Sequence, residues 1–197
     1  MFFGMCFASA LQKLSAEFSK EGVRWAVWAG FGASAYGSDR KPTDIDIGIM
    51  KEDVPKVNHA LDHFGVKRLH WEHKNIFRLF RVGFNLEGEE IDICGDGKIS
   101  VGGKQYKFVV DDEMFQNIQV KEIEGIKVPV ISPEDIILLK AICQRGKEQG
   151  KFDVEDIKSI LAHQKIDYAY LEKRAELCGA KERVMDLISV LKETKSA

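Results

Sequence analysis

The sequence predicts an α/β (α+β) fold in which a mixed β-sheet flanked by helices is followed by a helical C-terminal part. Three observations carry this. Residues 44–50 (DIDIGIM) and 89–94 (EEIDIC) place acid and aliphatic side chains alternately, which is the period of a strand. Apolar residues at helical spacing are interleaved with these and other extended stretches through the first two thirds of the chain. After residue 131 the extended patterns stop and only helical ones remain. The expected division is a core over 1–131 and a helical subdomain over 132–197, a length of 197 residues suiting one domain with an added helical part.

The elements follow in order. Leu11, Leu14 and Phe18 share one face of a helix over 8–20 that Gly22 ends. Val23 to Ala29 (VRWAVWA) is β-branched and aromatic and reads as a buried strand, with Trp25 and Trp28 as core or subunit-contact residues. The stretch GFGASAYGSDRKPT gives a Gly-rich turn, a short helix of small residues and a polar loop, before the strand over 44–50. Glu52 to Phe64 is a helix with Val54, Val57, Leu61 and Phe64 on one face; His59 and His63, four apart on it, read as surface histidines because no third ligand is evident. Strand patterns follow at 66–71, 76–84 and 89–94, and a hairpin about Gly125 pairs 117–124 with 126–131. Ser132-Pro133-Glu134-Asp135 is a helix start, with a capping Ser, a first-turn Pro and acids at the positive end. Helices are expected over 133–145, 153–163, 167–178 and 181–193.

Composition narrows the function. With 45% hydrophobic and 30% charged residues the chain is ordinary globular protein. A formal net charge of -2 argues against non-specific affinity for nucleic acid or anionic membrane. No apolar run approaches the length that spans a bilayer, and the apolar opening MFFGMCFASA lacks the basic start of a secretory leader, so an ordered N-terminus is expected. Cys6, Cys94, Cys143 and Cys178 lie far apart without metal-ligand spacing, which suits free thiols in a reducing cytoplasm. Between Lys67 and Arg81, five Lys and Arg residues and His70 and His73 are interleaved with Trp71 and Phe77. That pattern can bind nucleic acid, but a solvated sheet face accounts for it more simply.

The chemistry centres on Asp44 and Asp46. Side chains at i and i+2 of a strand share a face, so two carboxylates stand together while Ile45 and Ile47 anchor the other side. Like charges this close raise each other's pKa, and a cation resolves the conflict. Oxygen ligands beside phosphate favour magnesium, or manganese in its place. Asp92 repeats the acid–aliphatic pattern and completes a metal-binding triad if its strand neighbours the first; Glu90, on the same face, is the fallback. Two metals bridged by such a triad would activate an attacking hydroxyl and stabilise leaving pyrophosphate. Upstream, Gly30 and Gly32 would let backbone amides approach phosphate, with Ser34 adding a hydroxyl and Arg40 a charge.

At this point the sequence resembles a family. AGFGASAYGSDRKPTDIDIGI is similar to the signature of the DNA polymerase β-like nucleotidyltransferases: glycines after a strand, a short helix, then an acid–apolar–acid strand. Gly30 matches the second glycine, Tyr36-Gly37 closes the helix, Arg40 and Thr43 lie in the loop, and Asp44 and Asp46 match the metal ligands. The resemblance implies Asp92 as third acid. SPEDIILLKAICQRGKEQGKFDVEDI is similar to the closing segment of small stand-alone bacterial and archaeal members, among them antibiotic nucleotidyltransferases and toxin–antitoxin proteins. It places Lys140 on a helix near triphosphate and Asp153 and Asp156 at the next helix start, where acids suit the helix dipole. Ala29 stands where many members have the first glycine and Gly32 where many have alanine. The linker from Lys140 to Asp153 also looks longer than usual.

The implied reaction moves a nucleoside monophosphate from an NTP, ATP among them, to an acceptor hydroxyl on a small molecule, an RNA or a protein, in a cytoplasmic enzyme that can be a homo-oligomer. A catalytically silent module of a regulatory pair and a metal-dependent phosphohydrolase use the same residues as rival readings.

Overall fold

The computed structural model describes residues 5–123 and 125–193. The opening MFFG and Glu124, at the edge of the predicted hairpin, lie outside the described residues. Helix α1 (Met5–Glu21) is followed by β1 (Trp25–Val27), the short α2 (Ala29–Ala35), β2 (Ile45–Ile49) and α3 (Val54–Asp62). Then come β3 (His70–Lys74), β4 (Phe77–Leu86), β5 (Glu89–Val101), β6 (Lys104–Phe108), α4 (Asp112–Gln116), β7 (Gln119–Ile123) and β8 (Ile126–Val130). Helices α5 (Pro133–Cys143), α6 (Asp153–His163), α7 (Tyr168–Leu177) and α8 (Lys181–Glu193) close the described chain. None of the described helices is long and apolar enough to cross a membrane.

The strands form one mixed sheet in the order β3-β4-β5-β2-β1-β8-β7, with β6 also paired to β5. Strand β2 runs parallel to β5, β1 parallel to β8, and the other pairs are antiparallel. Ile45, Ile47 and Ile49 of β2 and Ile91 and Ile93 of β5 are fully buried on one face, as the alternation predicts. Trp25 and Trp28 are core residues: Trp25 meets Phe18 edge-on, and Trp28 meets Phe108.

The structure departs from the predicted elements in several places, and the strand expected over 66–71 is β3 at His70–Lys74, which starts four residues later. The Gly-rich turn is already helix, since α2 begins at Ala29. Strand β5 does not stop at Cys94 but runs on to Val101 through a register shift: Arg81 pairs with Cys94 and Leu79 with Gly97, so β5 carries one extra residue there. That bulge resets the alternation and brings Ile99 to the side of the sheet occupied by Asp92. Its sequence, Gly95-Asp96-Gly97, reads as a loop because Gly and Asp are depleted in strands. Strand β6 and helix α4 are the remaining unpredicted elements; α4 is a single turn capped by Asp111, which accepts from the Met114 amide.

Helix α5 is buried along its whole length and packs on α2, α6, α7 and α8. A helix apolar all round belongs in an interior, and its polar N-terminus is satisfied internally. Ser132 caps it by accepting from the Asp135 amide. The fully buried Arg174 of α7 donates to Asp135 (2.9 Å), to Asp111 (2.7 Å) and to the Val109 carbonyl (2.6 Å), and Tyr170 donates to Asp135 (2.8 Å). Burial pushes the Asp135 carboxyl up despite the opposing pull of Arg174. Losing the cation would leave a buried charge unpaired. Arg174→Met is therefore expected to cost about 3–5 kcal/mol in urea denaturation, against roughly 1 kcal/mol for Tyr170→Phe, which removes one hydrogen bond.

Candidate active site

Asp44 is the last loop residue before β2 and Asp46 is the second residue within it. The parallel register of β2 and β5 sets Asp46 directly beside Asp92. All three acids line one cleft of about 160 Å³, which also takes in Gly30, Arg40 and Lys140. Its other wall is apolar, formed by residues such as Trp28, Phe77, Leu79 and Phe108. Glu90 is exposed and is not among the residues lining the cleft.

The three carboxylates differ in their company. Asp44 accepts only a 3.4 Å contact from the Thr43 hydroxyl. The Asp46 carboxylate makes no hydrogen bond or ion pair among the described residues. Burial, then the charges of Asp44 and Asp92, push Asp46 up to about 7. Solvent still touches the side chain at the cleft mouth, but protein surrounds the carboxylate closely enough to make ionisation costly. Asp92 is instead held by two cations: Arg81 Nη2 donates to Oδ1 and Lys74 Nζ to Oδ2 (3.1 Å). Among the described residues no group of three or more His, Cys, Asp or Glu side chains is arranged as a ready metal cage.

The glycine loop separates into distinct roles. Ala29, where the family resemblance places a first glycine, has a φ of 51° and so occupies the left-handed region that favours glycine. A side chain at Gly30 would stand 3.0 Å from the Arg40 guanidinium, so this glycine makes room for that charge at the cleft edge. At Gly32 a Cβ would stand 2.7 Å from Ile136 of α5, and its amide donates to the Trp28 carbonyl; here the glycine allows α2 to press onto α5. The Ser34 hydroxyl donates to the Arg40 carbonyl (2.7 Å) and so ties the loop down.

Lys140 is buried and donates to Asp156 (2.6 Å) and, at 3.4 Å, to Asp153. Asp153 and Asp156 do open α6, as expected, but both are buried counter-ions rather than merely terminal acids. Asp156 also accepts from Ser38 (2.6 Å) and reaches Arg40 at 3.4 Å. Burial raises Asp153, but Arg145 and Lys140 outweigh it and hold the carboxyl below its ordinary value. This web fastens α5 and α6 to the loop that precedes the acids.

Four cleft cations fall outside the residues predicted to act here. Lys74 and Arg81 belong to the stretch expected as a solvated sheet face, yet Arg81 is only 7% exposed. The stretch divides by parity: Glu72, Lys74 and Arg81 face the cleft side, while Trp71, 60% exposed, lies on the other side beside Arg78 and Phe80. Arg145 is bound to Asp153 and lies over the Phe77 ring. Lys151 makes neither hydrogen bond nor ion pair among the described residues, and with Arg145 it draws the Asp46 pKa downward. Both sit in the long α5–α6 linker, where no local pattern marks a site.

Comparison with known proteins bears on the family and the fold. A family model described as uncharacterised nucleotidyltransferase matches residues 3–194. Two solved structures share the fold. One is a candidate nucleotidyltransferase from Thermotoga maritima, at 18% identity and a TM-score of 0.57, covering 73% of this chain and 88% of its own. The other is the antibiotic-resistance factor ANT(2'')-Ia in solution, at 16% identity and a TM-score of 0.54, covering 98% and 95%. No functionally curated protein matches the sequence.

Two outcomes follow from the strain in this site. An acid whose folded pKa lies near 7 instead of the ordinary 3.8 binds more protons folded than unfolded between those values. Stability therefore falls as pH rises through that window, and the full loss is present above about 7. In chelator-containing buffer, Asp46→Asn should be more stable than wild type at pH 8 by roughly 1–2 kcal/mol, discounting for solvent at the cleft mouth, with the gain shrinking towards pH 5. Ala29→Gly, which relieves the left-handed alanine, should raise stability by roughly 0.5–1 kcal/mol in the same melts.

Proposed function

Because the chain belongs to the uncharacterised nucleotidyltransferase family, we propose that it transfers a nucleoside monophosphate from an NTP to an acceptor hydroxyl, releasing pyrophosphate, in the cleft beside Asp44, Asp46 and Asp92. The observation that carries this reading is Asp46: a closely surrounded carboxylate without a partner, raised to about 7 by burial and its two acidic neighbours. Such a group is matched to a cation, and Asp44 and Asp46 together would hold a magnesium ion, or manganese. When bound, the ion would neutralise charge on the triphosphate and on the pyrophosphate that leaves.

The rest of the work falls to the chain's own groups. Ala29 and Gly30 line the cleft at the start of α2, whose first amides have no partner within the helix, because the first turn never does. Arg40 and Lys151 border the same cleft. Lys151 is the better triphosphate contact than Lys140, since Lys140 already serves Asp153 and Asp156. Lys140 then acts indirectly, by holding Asp156, which reaches Arg40. Positioning and fixed charge supply most of the acceleration in such a transfer. The acceptor is a hydroxyl of a small molecule, an RNA or a protein.

The decisive test incubates the protein with each labelled NTP, magnesium and fractionated metabolite, RNA and protein pools. A labelled acceptor with stoichiometric pyrophosphate is the expected product. Hydrolysed nucleotide alone would make it a phosphohydrolase, and no product with no nucleotide binding would make it a silent module. In calorimetry, Asp44→Asn with Asp46→Asn should abolish magnesium binding while the circular dichroism spectrum is kept. Lys151→Ala should weaken NTP binding by about 1–2 kcal/mol and NMP binding much less, because the contact is with the outer phosphates. Gly30→Val, which drives a branched side chain into Arg40 and the phosphate path, should reduce the same preference.

A further inference from the structure

Resting on the nucleotidyltransferase reading, we infer that this site takes one divalent cation rather than two, because Arg81, with Lys74, supplies the positive charge on Asp92 that a second metal would otherwise bring. The sequence pattern alone predicts two metals bridged by three acids. The charges in the cleft divide differently. Asp44 and Asp46 are in contact with no cation among the described residues, and together they match one divalent ion. Asp92 has a cation on each oxygen, Arg81 on Oδ1 and Lys74 on Oδ2, and its side chain is 8% exposed. Glu72 accepts from Arg81 Nη1 at 2.6 Å, so Glu72, Arg81, Asp92 and Lys74 form an alternating row across β3, β4 and β5 with no net charge.

This row is built into the backbone. Gly83 is the β4 residue directly opposite Asp92. A Cβ there would stand 2.7 Å from Arg81 Nη2 and 2.7 Å from Asp92 Oδ1. The space over the Asp92 carboxylate is thus kept clear for a guanidinium arriving from two residues earlier on the same strand. Arg81 is itself buried and anchored at its other end by Glu72, and it is held above its ordinary pKa because Asp92 and Glu72 outweigh the cost of its burial. A fixed guanidinium on Asp92 repels a second divalent ion at the same carboxylate. Arg81 is therefore a positioning residue. It fixes the Asp92 carboxylate beside Asp46 and leaves the metal to the partnerless pair.

The test counts ions. Manganese is titrated into the full chain with a non-hydrolysable NTP analogue, and bound metal is read by electron paramagnetic resonance. Wild type is expected to bind one manganese per chain, Asp44→Asn none, Arg81→Lys one, and Arg81→Met two, the second site weaker. Circular dichroism melts confirm that each variant folds; should Arg81→Met fail to fold, the wild-type and Arg81→Lys counts still decide. Two ions on wild type or on Arg81→Lys overturn the inference and leave the nucleotidyltransferase reading standing, as does a single ion on a folded Arg81→Met chain. Wild type that binds neither manganese nor the analogue overturns the reading on which the inference rests.

Discussion

Two carboxylates on neighbouring strands, in register and turned to the same side, define this molecule. The β2–β5 pairing seats Asp46 against Asp92 while the isoleucines on either side of each acid lock both strands into the core. A one-residue slip of either strand would bury that strand's acid and expose its isoleucines, so the hydrophobic pattern fixes the register and the register fixes the charge conflict. The fold tolerates that conflict by unequal treatment. Asp92 is paired from within with Arg81 and Lys74; Asp46 has no such partner, and its burial, then the charges of Asp44 and Asp92, raise its pKa.

The surrounding structure keeps those charges in place. Helix α5, buried along its length, sits against α2, and Gly32 permits the close approach to Ile136. From α5, Lys140 reaches Asp153 and Asp156 of α6, and Asp156 reaches back to Ser38 and Arg40. The Arg40 side of the cleft is thereby tied to the C-terminal helices. Arg174 and Asp135 tie α5 to α7 in the same manner, farther from the chemistry. Buried ion pairs of this kind add little net stability over apolar packing, but they are intolerant of losing one partner. They hold the cleft in one geometry.

The sequence by itself determined the fold class, the order of the main elements and the shared face of Asp44 and Asp46, with Asp92 on the same side once its strand lies beside theirs. These are properties of periodicity: a strand places i and i+2 together whatever surrounds it, and an acid–aliphatic alternation is the pattern of a strand with one wet face and one buried. It also determined the α5 start, since Ser132 and Pro133 act within one turn. What it left open was the company those acids keep. Arg81 reads as one more surface charge until β4 is laid beside β5 and Gly83 falls opposite Asp92. Lys151 and Arg145 enter the cleft only because the α5–α6 linker folds over it, and Lys140 at the cleft wall meets two buried acids only because α6 brings them there. The β5 bulge at Gly95–Gly97 hid a strand behind loop-like residues. Local spacing specifies which side chains share a face; which charges meet across strands and helices is decided by tertiary pairing, because Coulomb contact depends on distance in space and not in sequence.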